Sequence, residues 1–379
     1  MKNYAIKDLP LLRVHGRTQL CPEGLPLFWT GSGIEMNIIA PSLSLTYKAD
    51  YGTFEPWVDV LIDGVRTQRV MLRKGVHELP IYRGGEMALG EASPLRRVRI
   101  LRDTPAMPAD EENCLLFLSL SFEGELLPLK EPRGRLLFIG DSITSGEGGC
   151  GAVSSMTWDS GCFDAVDNYA PITADALGAD YQVLSQSGWG VYCDYLGNTD
   201  AVLPPFEGQV CGLLKGEKAR ALGAFAPWKA SLFVPDAVII NLGTNDLSGI
   251  LAMRDRDGSR KEFEELPEEL PVSGREKVSE SVTRFLLHLR SRYPEAFLVW
   301  CYGMLKTEPS IFYRQMEETL KGAVKAFQEE IGDQKSAYLT LPPTEASEFG
   351  SRYHPGHLSH LHAAERLIAF LRERGIGKN

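Results

Sequence analysis

A serine, a glycine, an asparagine and a histidine each follow a short apolar run in this chain. Ser142 lies in R-L-L-F-I-G-D-S-I-T-S-G-E, Arg135 to Glu147. Arg135–Ile139 reads as a buried parallel strand, broken at Gly140. A serine on the first turn after such a strand sits at the carboxyl edge of a sheet, where open α/β folds place their sites. Backbone N–H groups there can hold an oxyanion. Ser142 is therefore a candidate nucleophile. The alternative at this stretch is a helix N-cap, since Asp and Ser both cap helices. Gly188 lies in Q-S-G-W-G after the run Tyr181–Ser185, and Asn245 lies in N-L-G-T-N-D after Ala237–Asn241. His354 lies in Y-H-P-G-H after Ala337–Leu341. Each candidate strand is thus followed by one group suited to ester chemistry.

This ordered set resembles the SGNH (GDSL-type) hydrolase superfamily, over roughly Arg135 to Gly375. The resemblance implies that Ser142 attacks an ester carbonyl and that His354 takes its proton and later protonates the leaving alcohol. It assigns the oxyanion hole to the N–H groups of Ser142 and Gly188 and the side-chain amide of Asn245. It calls for no metal and no cofactor. One position departs from the pattern. The superfamily usually carries Asp in D-x-x-H, and here that place is taken by Ser351, in S-R-Y-H. A backbone carbonyl, the Ser351 hydroxyl or Glu348 are the candidates to orient His354. Family-two carbohydrate esterases resemble this chain in pairing an N-terminal β-sandwich with an SGNH domain, and members of that family work with a Ser–His dyad.

Other polar residues near the blocks have ordinary explanations. Asp141 and Asp246 flank candidate helix starts and are expected to satisfy backbone N–H groups. His354, His357, His360 and His362 crowd together, but no Cys or carboxylate stands at ligand spacing and H-E-x-x-H is absent, so no metal site is read there. Trp189, between Gly188 and Gly190, is a tentative substrate-binding residue, with Trp158 and Tyr192 weaker candidates for the same wall.

The elements that would position these groups form an α/β domain. Strand–helix units predict a parallel sheet with helices on both faces, the flavodoxin-like three-layer arrangement that the resemblance also implies. Asn168–Leu177 reads as a helix with Gly178 as C-cap. Val278, Val282, Phe285 and Leu289 stand at helical spacing, as do Leu361, Ala364, Ile368 and Leu371. Asp200–Trp228 reads as a long wrapping segment, and Ile250–Pro271 as a charged, solvated excursion. Residues 1–131 read as an all-β sandwich or jelly roll of short strands, with a hairpin turning at Asp63-Gly64. Trp29, Trp57 and Tyr82 are expected in its core. A domain boundary is set at Leu127–Gly134, giving domains 1–131 and 132–379.

Composition narrows the function further. The formal net charge of −10 over 379 residues argues against nucleic acid or an anionic membrane as partner. No apolar run reaches transmembrane length. Seven scattered cysteines without C-x-x-C spacing fit free thiols. The N-terminus shows no signal-peptide pattern, so a cytoplasmic location is expected. The expected function is a serine esterase removing O-acetyl groups from oligosaccharides such as xylo- or manno-oligosaccharides. A thioesterase or lipid esterase, or a degenerate carbohydrate-binding protein, are the alternatives. Oligomeric state is not legible.

Overall fold

The computed structural model describes residues 1–84, 93–256, 268–305 and 310–377. Part of the charged stretch Ile250–Pro271 lies outside the described residues. Two compact units emerge: Met1–Glu131 with Trp158–Val166 and Gly208–Trp228, and Pro132–Thr157 with Asp167–Glu207 and Lys229–Asn379.

The first unit is built on two antiparallel sheets. Lys2–Ala5, Cys114–Phe122, Ser42–Asp50 and Gly75–Arg83 lie side by side in one, with Leu25–Pro26 paired to Cys114–Phe122. Glu125–Leu127, Gly33–Ile39, Leu95–Arg102, Trp57–Ile62 and Val65–Met71 form the other, with Arg13–His15 on Gly33–Ile39. Alternate side chains point inward, as the two-residue period of a strand requires. Leu43, Leu45, Tyr47 and Ala49 of one sheet thereby share a core with Ile34, Met36, Ile38, Val98 and Ile100 of the other. Asp63 and Gly64 both have positive φ, 52° and 86°, which matches the twist a two-residue hairpin needs. Two stretches from later in the chain join this unit through aromatic anchors. Fully buried Trp29 donates its indole N–H to the Val210 carbonyl at 2.7 Å. Trp158 packs edge-on to Phe54 with centroids 5.0 Å apart. The segment read as one wrap, Asp200–Trp228, is thus divided between the two units.

The second unit carries a parallel sheet. Its strands are β1 (Arg135–Gly140), β2 (Asp180–Ser185), β3 (Ala237–Asn241), β4 (Phe297–Tyr302) and β5 (Ser336–Thr340). They run in the order β2-β1-β3-β4-β5, every pairing parallel. The helices are α1 (Ser142–Ser145), α2 (Tyr169–Leu177), α3 (Thr244–Arg256), α4 (Val272–Arg292), α5 (Ile311–Ile331) and α6 (His357–Glu373). α2 packs with α6, and α4 with α5. Strands covered on both faces read as continuous apolar runs, and β3 is buried at all five positions. α2 is capped by Asn168, which accepts from the Ala170 N–H, and ends at left-handed Gly178. Val278, Val282, Phe285 and Leu289 form the buried face of α4. In α6 the buried face is Ala363, Ala364, Leu367, Phe370 and Leu371. That face is rotated from the expected one, leaving Leu361 and Ile368 half-buried, because Leu367 and Phe370 fill the core shared with α2. Among the described residues no helix is long and apolar enough to cross a membrane.

Strand order places the blocks. β2, β1 and β3 are neighbours, so the turns after them, carrying Gly188, Ser142 and Asn245, meet at one carboxyl edge. The chain steps from β1 to β2 on one side and then to β3 on the other. This is the switch point where such sheets open a crevice.

Candidate active site

Gly140 ends β1 because a Cβ there would fall 2.0 Å from Thr144 Oγ1, so the chain can turn tightly into α1. Asp141 is the N-cap, its carboxylate accepting from the Ile143 N–H at 3.0 Å. The capping role therefore falls to Asp141 and leaves the Ser142 hydroxyl for other work. Ser142 Oγ lies 3.0 Å from His354 Nε2. On the far side of the ring, His354 Nδ1 lies 3.0 Å from the Arg352 carbonyl oxygen. A carbonyl only accepts, so Nδ1 carries the hydrogen and Nε2 is left to accept from the serine.

The orienting atom is thus a backbone carbonyl, one of the three candidates. The other two are engaged elsewhere. Ser351 Oγ donates to the Cys150 carbonyl at 2.8 Å, and Glu348 faces His362 Nδ1 at 3.2 Å. The carbonyl is presented by an uncommon backbone: Arg352 and Tyr353 both take left-handed φ, 59° and 53°. Four contacts hold that turn in place. Ser351 N–H donates to Gly148 O, Arg352 N–H to Ser155 O, Gly350 N–H to His354 O and His354 N–H to Ser351 O. Gly148 is required by the crossing. Its φ is +83°, and a Cβ would come within 2.5 Å of the His354 Cβ.

Two residues invisible to sequence reasoning join this corner. Buried Glu147 accepts from Arg352 Nε at 2.9 Å, and the same oxygen lies 3.8 Å from His354 Nε2. Arg352 Nη1 donates to the Met156 carbonyl at 2.8 Å. The one mark in the sequence is a carboxylate set between Gly146 and Gly148, directly after the Ser142 turn.

On the other side of Ser142, Asn245 Nδ2 donates to Asp141 Oδ2 at 3.2 Å and to the Trp189 carbonyl at 3.1 Å. Gly188 takes φ +80°, with the Tyr195 ring close enough that a Cβ would meet it at 3.0 Å. Fully buried Asp246 accepts from the N–H groups of Val191, Tyr192 and Cys193, at 2.7–3.1 Å. Burial raises both carboxyls: Asp141 is pushed up to about 7, against its bond from the Ile143 N–H and with the charges of Asp246 and Glu147 adding to the rise. Asp246 rises by burial too, opposed by the N–H groups it accepts.

Of the tentative substrate residues, Trp189 is half-buried with its ring 5.6 Å from Phe206, and Tyr192 is half-buried. Trp158 lies in the first unit, on Phe54 and Phe163. The histidines do not converge. His354 meets Ser142, His360 accepts from the Tyr169 N–H at 3.3 Å, His362 faces Glu348, and His357 is exposed. Among the described residues one carboxylate group with metal-ligand geometry does occur, Asp59, Asp103 and Asp164 in the first unit, with oxygens within 4.8 Å. Arg69 pairs with Asp103 at 2.7 Å and Arg66 with Asp164 at 2.6 Å, so cations of the chain already occupy that corner.

The chain is 32% identical to an acetyl xylan esterase from the rumen bacterium Butyrivibrio proteoclasticus, covering 100% of this chain and 99% of that one, with a TM-score of 0.89. It shares its fold with a family two carbohydrate esterase from Clostridium thermocellum, solved in complex with cellohexaose. That likeness has 23% identity, a TM-score of 0.78, and coverage of 97% of this chain and 100% of that chain. It is also 25% identical to the cellulase/esterase CelE of Acetivibrio thermocellus over 97% of its own length, while spanning 40% of that protein. Residues 138–363 match the GDSL-like lipase/acylhydrolase family, with the Ser142, Gly188, Asn245 and His354 turns all inside that span, and the chain belongs to this family.

Proposed function

We propose that this protein is a serine carboxylic-ester hydrolase that removes O-acetyl groups from carbohydrates, with xylo- or manno-oligosaccharides as the substrate class. The observation that carries the chemistry is the 3.0 Å approach of Ser142 Oγ to His354 Nε2, with the ring held from behind by the Arg352 carbonyl. Support for the substrate comes from the similarity to an acetyl xylan esterase along the whole chain. Domains 1–131 and 132–379 remain the proposed division.

In this reading Ser142 Oγ attacks the acetyl carbonyl while Nε2 takes its proton. The new oxyanion is held by the N–H groups of Ser142 and Gly188 and by Asn245 Nδ2. Asn245 exchanges one of its two long hydrogen bonds for the oxyanion, which strengthens only as charge develops. The tetrahedral intermediate collapses, and the sugar oxygen leaves with the proton from His354. Water then attacks the acetyl-serine while His354 takes its proton; the bond from Ser142 Oγ to the acetyl carbon breaks, Oγ recovers the proton from His354, and acetic acid departs. Trp189 and Tyr192 are the proposed sugar-facing residues, joined by Tyr195 and by Tyr353, which is 70% exposed beside His354. A cytoplasmic location is proposed on the seven scattered cysteines, which stand without C-x-x-C spacing.

The test is acetate release from acetylated xylo- and manno-oligosaccharides by the protein and its Ser142→Ala variant, with a long-chain aryl ester alongside. Release from the sugars should fall by about 10³-fold or more in the variant. Equal release from both proteins overturns Ser142 as nucleophile. Hydrolysis of the long-chain ester alone moves the function to lipids or thioesters, and no hydrolysis by either protein favours a binding role.

A further inference from the structure

A Ser–His pair without a carboxylate on Nδ1 lacks the charge that ordinarily stabilises the imidazolium. The structure holds such a charge in a different place. Glu147 is 3% exposed, and one carboxylate oxygen lies 3.8 Å from His354 Nε2, on the serine side of the ring. The same oxygen accepts from Arg352 Nε at 2.9 Å, and Arg352 is the residue whose carbonyl holds Nδ1. A bare carboxylate this close would favour the imidazolium even at rest, and a protonated Nε2 cannot accept from Ser142. A bare guanidinium would do the reverse. The remaining groups around the ring are turned elsewhere. Asp141 faces the Ile143 N–H and Asn245 Nδ2, His362 faces Glu348, and His357 and Tyr353 are exposed.

We propose that Glu147 and Arg352 are a pair of positioning residues that set the protonation of His354: the buried carboxylate favours the imidazolium formed during attack, and the guanidinium bound to it keeps His354 neutral beforehand. This rests on the reading of Ser142 and His354 as nucleophile and base. The pair also ties the nucleophile turn to the loop carrying the histidine, so one contact serves geometry and charge together.

The two halves of the pair act with opposite sign, which separates this role from a merely structural one. The experiment follows the pH dependence of kcat/KM for acetate release in the protein, Glu147→Gln, Arg352→Gln and the double variant, with thermal melts to establish folding. The acid limb reports the free-enzyme histidine. It should move down by about one pH unit in Glu147→Gln, where a guanidinium is left alone, and up by about as much in Arg352→Gln. The double variant should return close to the parent limb, and Arg352→Lys, which keeps the charge, should leave it near its parent position. Limbs that stay in place, or that move the same way in both single variants, overturn the proposal. If Arg352→Gln does not fold, Glu147→Gln decides alone, a limb that stays or rises being the overturning result. Undiminished activity of Ser142→Ala is a different failure, that of the underlying nucleophile reading.

Discussion

The Ser351 hydroxyl donates to the Cys150 carbonyl at 2.8 Å, in the position where the family pattern would place an aspartate. Restoring that aspartate should therefore not restore a side-chain triad. Ser351→Asp sets a carboxylate against a carbonyl oxygen in a buried corner, and like-signed atoms repel there. The expected result is a lower melting temperature and a kcat at or below the parent's, measured on an acetylated oligosaccharide; a rise in kcat would show that the loop can rearrange to seat the carboxylate on Nδ1. At this scale the sequence is informative where a candidate group is a side chain set shortly after an apolar run, as at Ser142, Asn245 and His354, or a glycine that a left-handed turn calls for, as at Gly188 with φ +80°. Arg352 was not legible, because its contribution is a backbone oxygen aimed by a left-handed φ, and S-R-Y-H carries no mark of that conformation. Glu147 was not, because its partner lies 205 positions away.

The turn after β2 shows how an element holds a site. Asp246, from the start of α3, accepts the N–H groups of Val191, Tyr192 and Cys193, just beyond Gly188 and Trp189. Gly190 permits the approach, since a Cβ there would lie 2.4 Å from Asp246 Oδ2. Asp246→Ala leaves the buried N–H groups of Val191 and Cys193 and the half-buried one of Tyr192 without their acceptor and should cost about 3 kcal/mol. It should also reduce kcat, because the turn presenting Gly188 loses its anchor; a variant with unchanged stability and kcat would assign the turn's order to other contacts. Apolar runs located β1, β2 and β3 in the sequence, since strands buried on both faces have little choice of residue type. The strand Gly75–Arg83 escaped notice. At the end of its sheet's strand order, it carries Pro80 and mixes charged with apolar residues, so nothing in its composition separates it from a loop.

For the molecule as a whole, buried carboxyls set how stability responds to pH. Burial, reinforced by the Asp103 charge, pushes Asp59 up to about 9, and burial pushes Asp141 up to about 7, each from an ordinary 3.8. A carboxyl with a raised folded value holds its proton more tightly when folded, so stability is greatest below the ordinary value and declines as pH climbs towards the folded one. Glu35 has the opposite sign. Burial raises it, but His15 and Arg97 outweigh that and hold it down at about 2, so its contribution is lost as pH falls from 4.5 towards that value. On these groups stability peaks near pH ~4 and declines towards pH ~9. Melting temperatures recorded from pH 4 to 9 should show this decline, and Asp59→Asn should flatten it; a profile rising towards pH 9 would contradict the assignment. The carbonyl on His354 has a consequence for inheritance. A triad aspartate can be erased by one codon change, whereas the oxygen of a peptide bond is present whatever residue is encoded. Selection then needs no acid at position 351, and what it must preserve is a bend in the main chain, recorded in Gly148 and Gly350 rather than in any acidic letter beside the histidine.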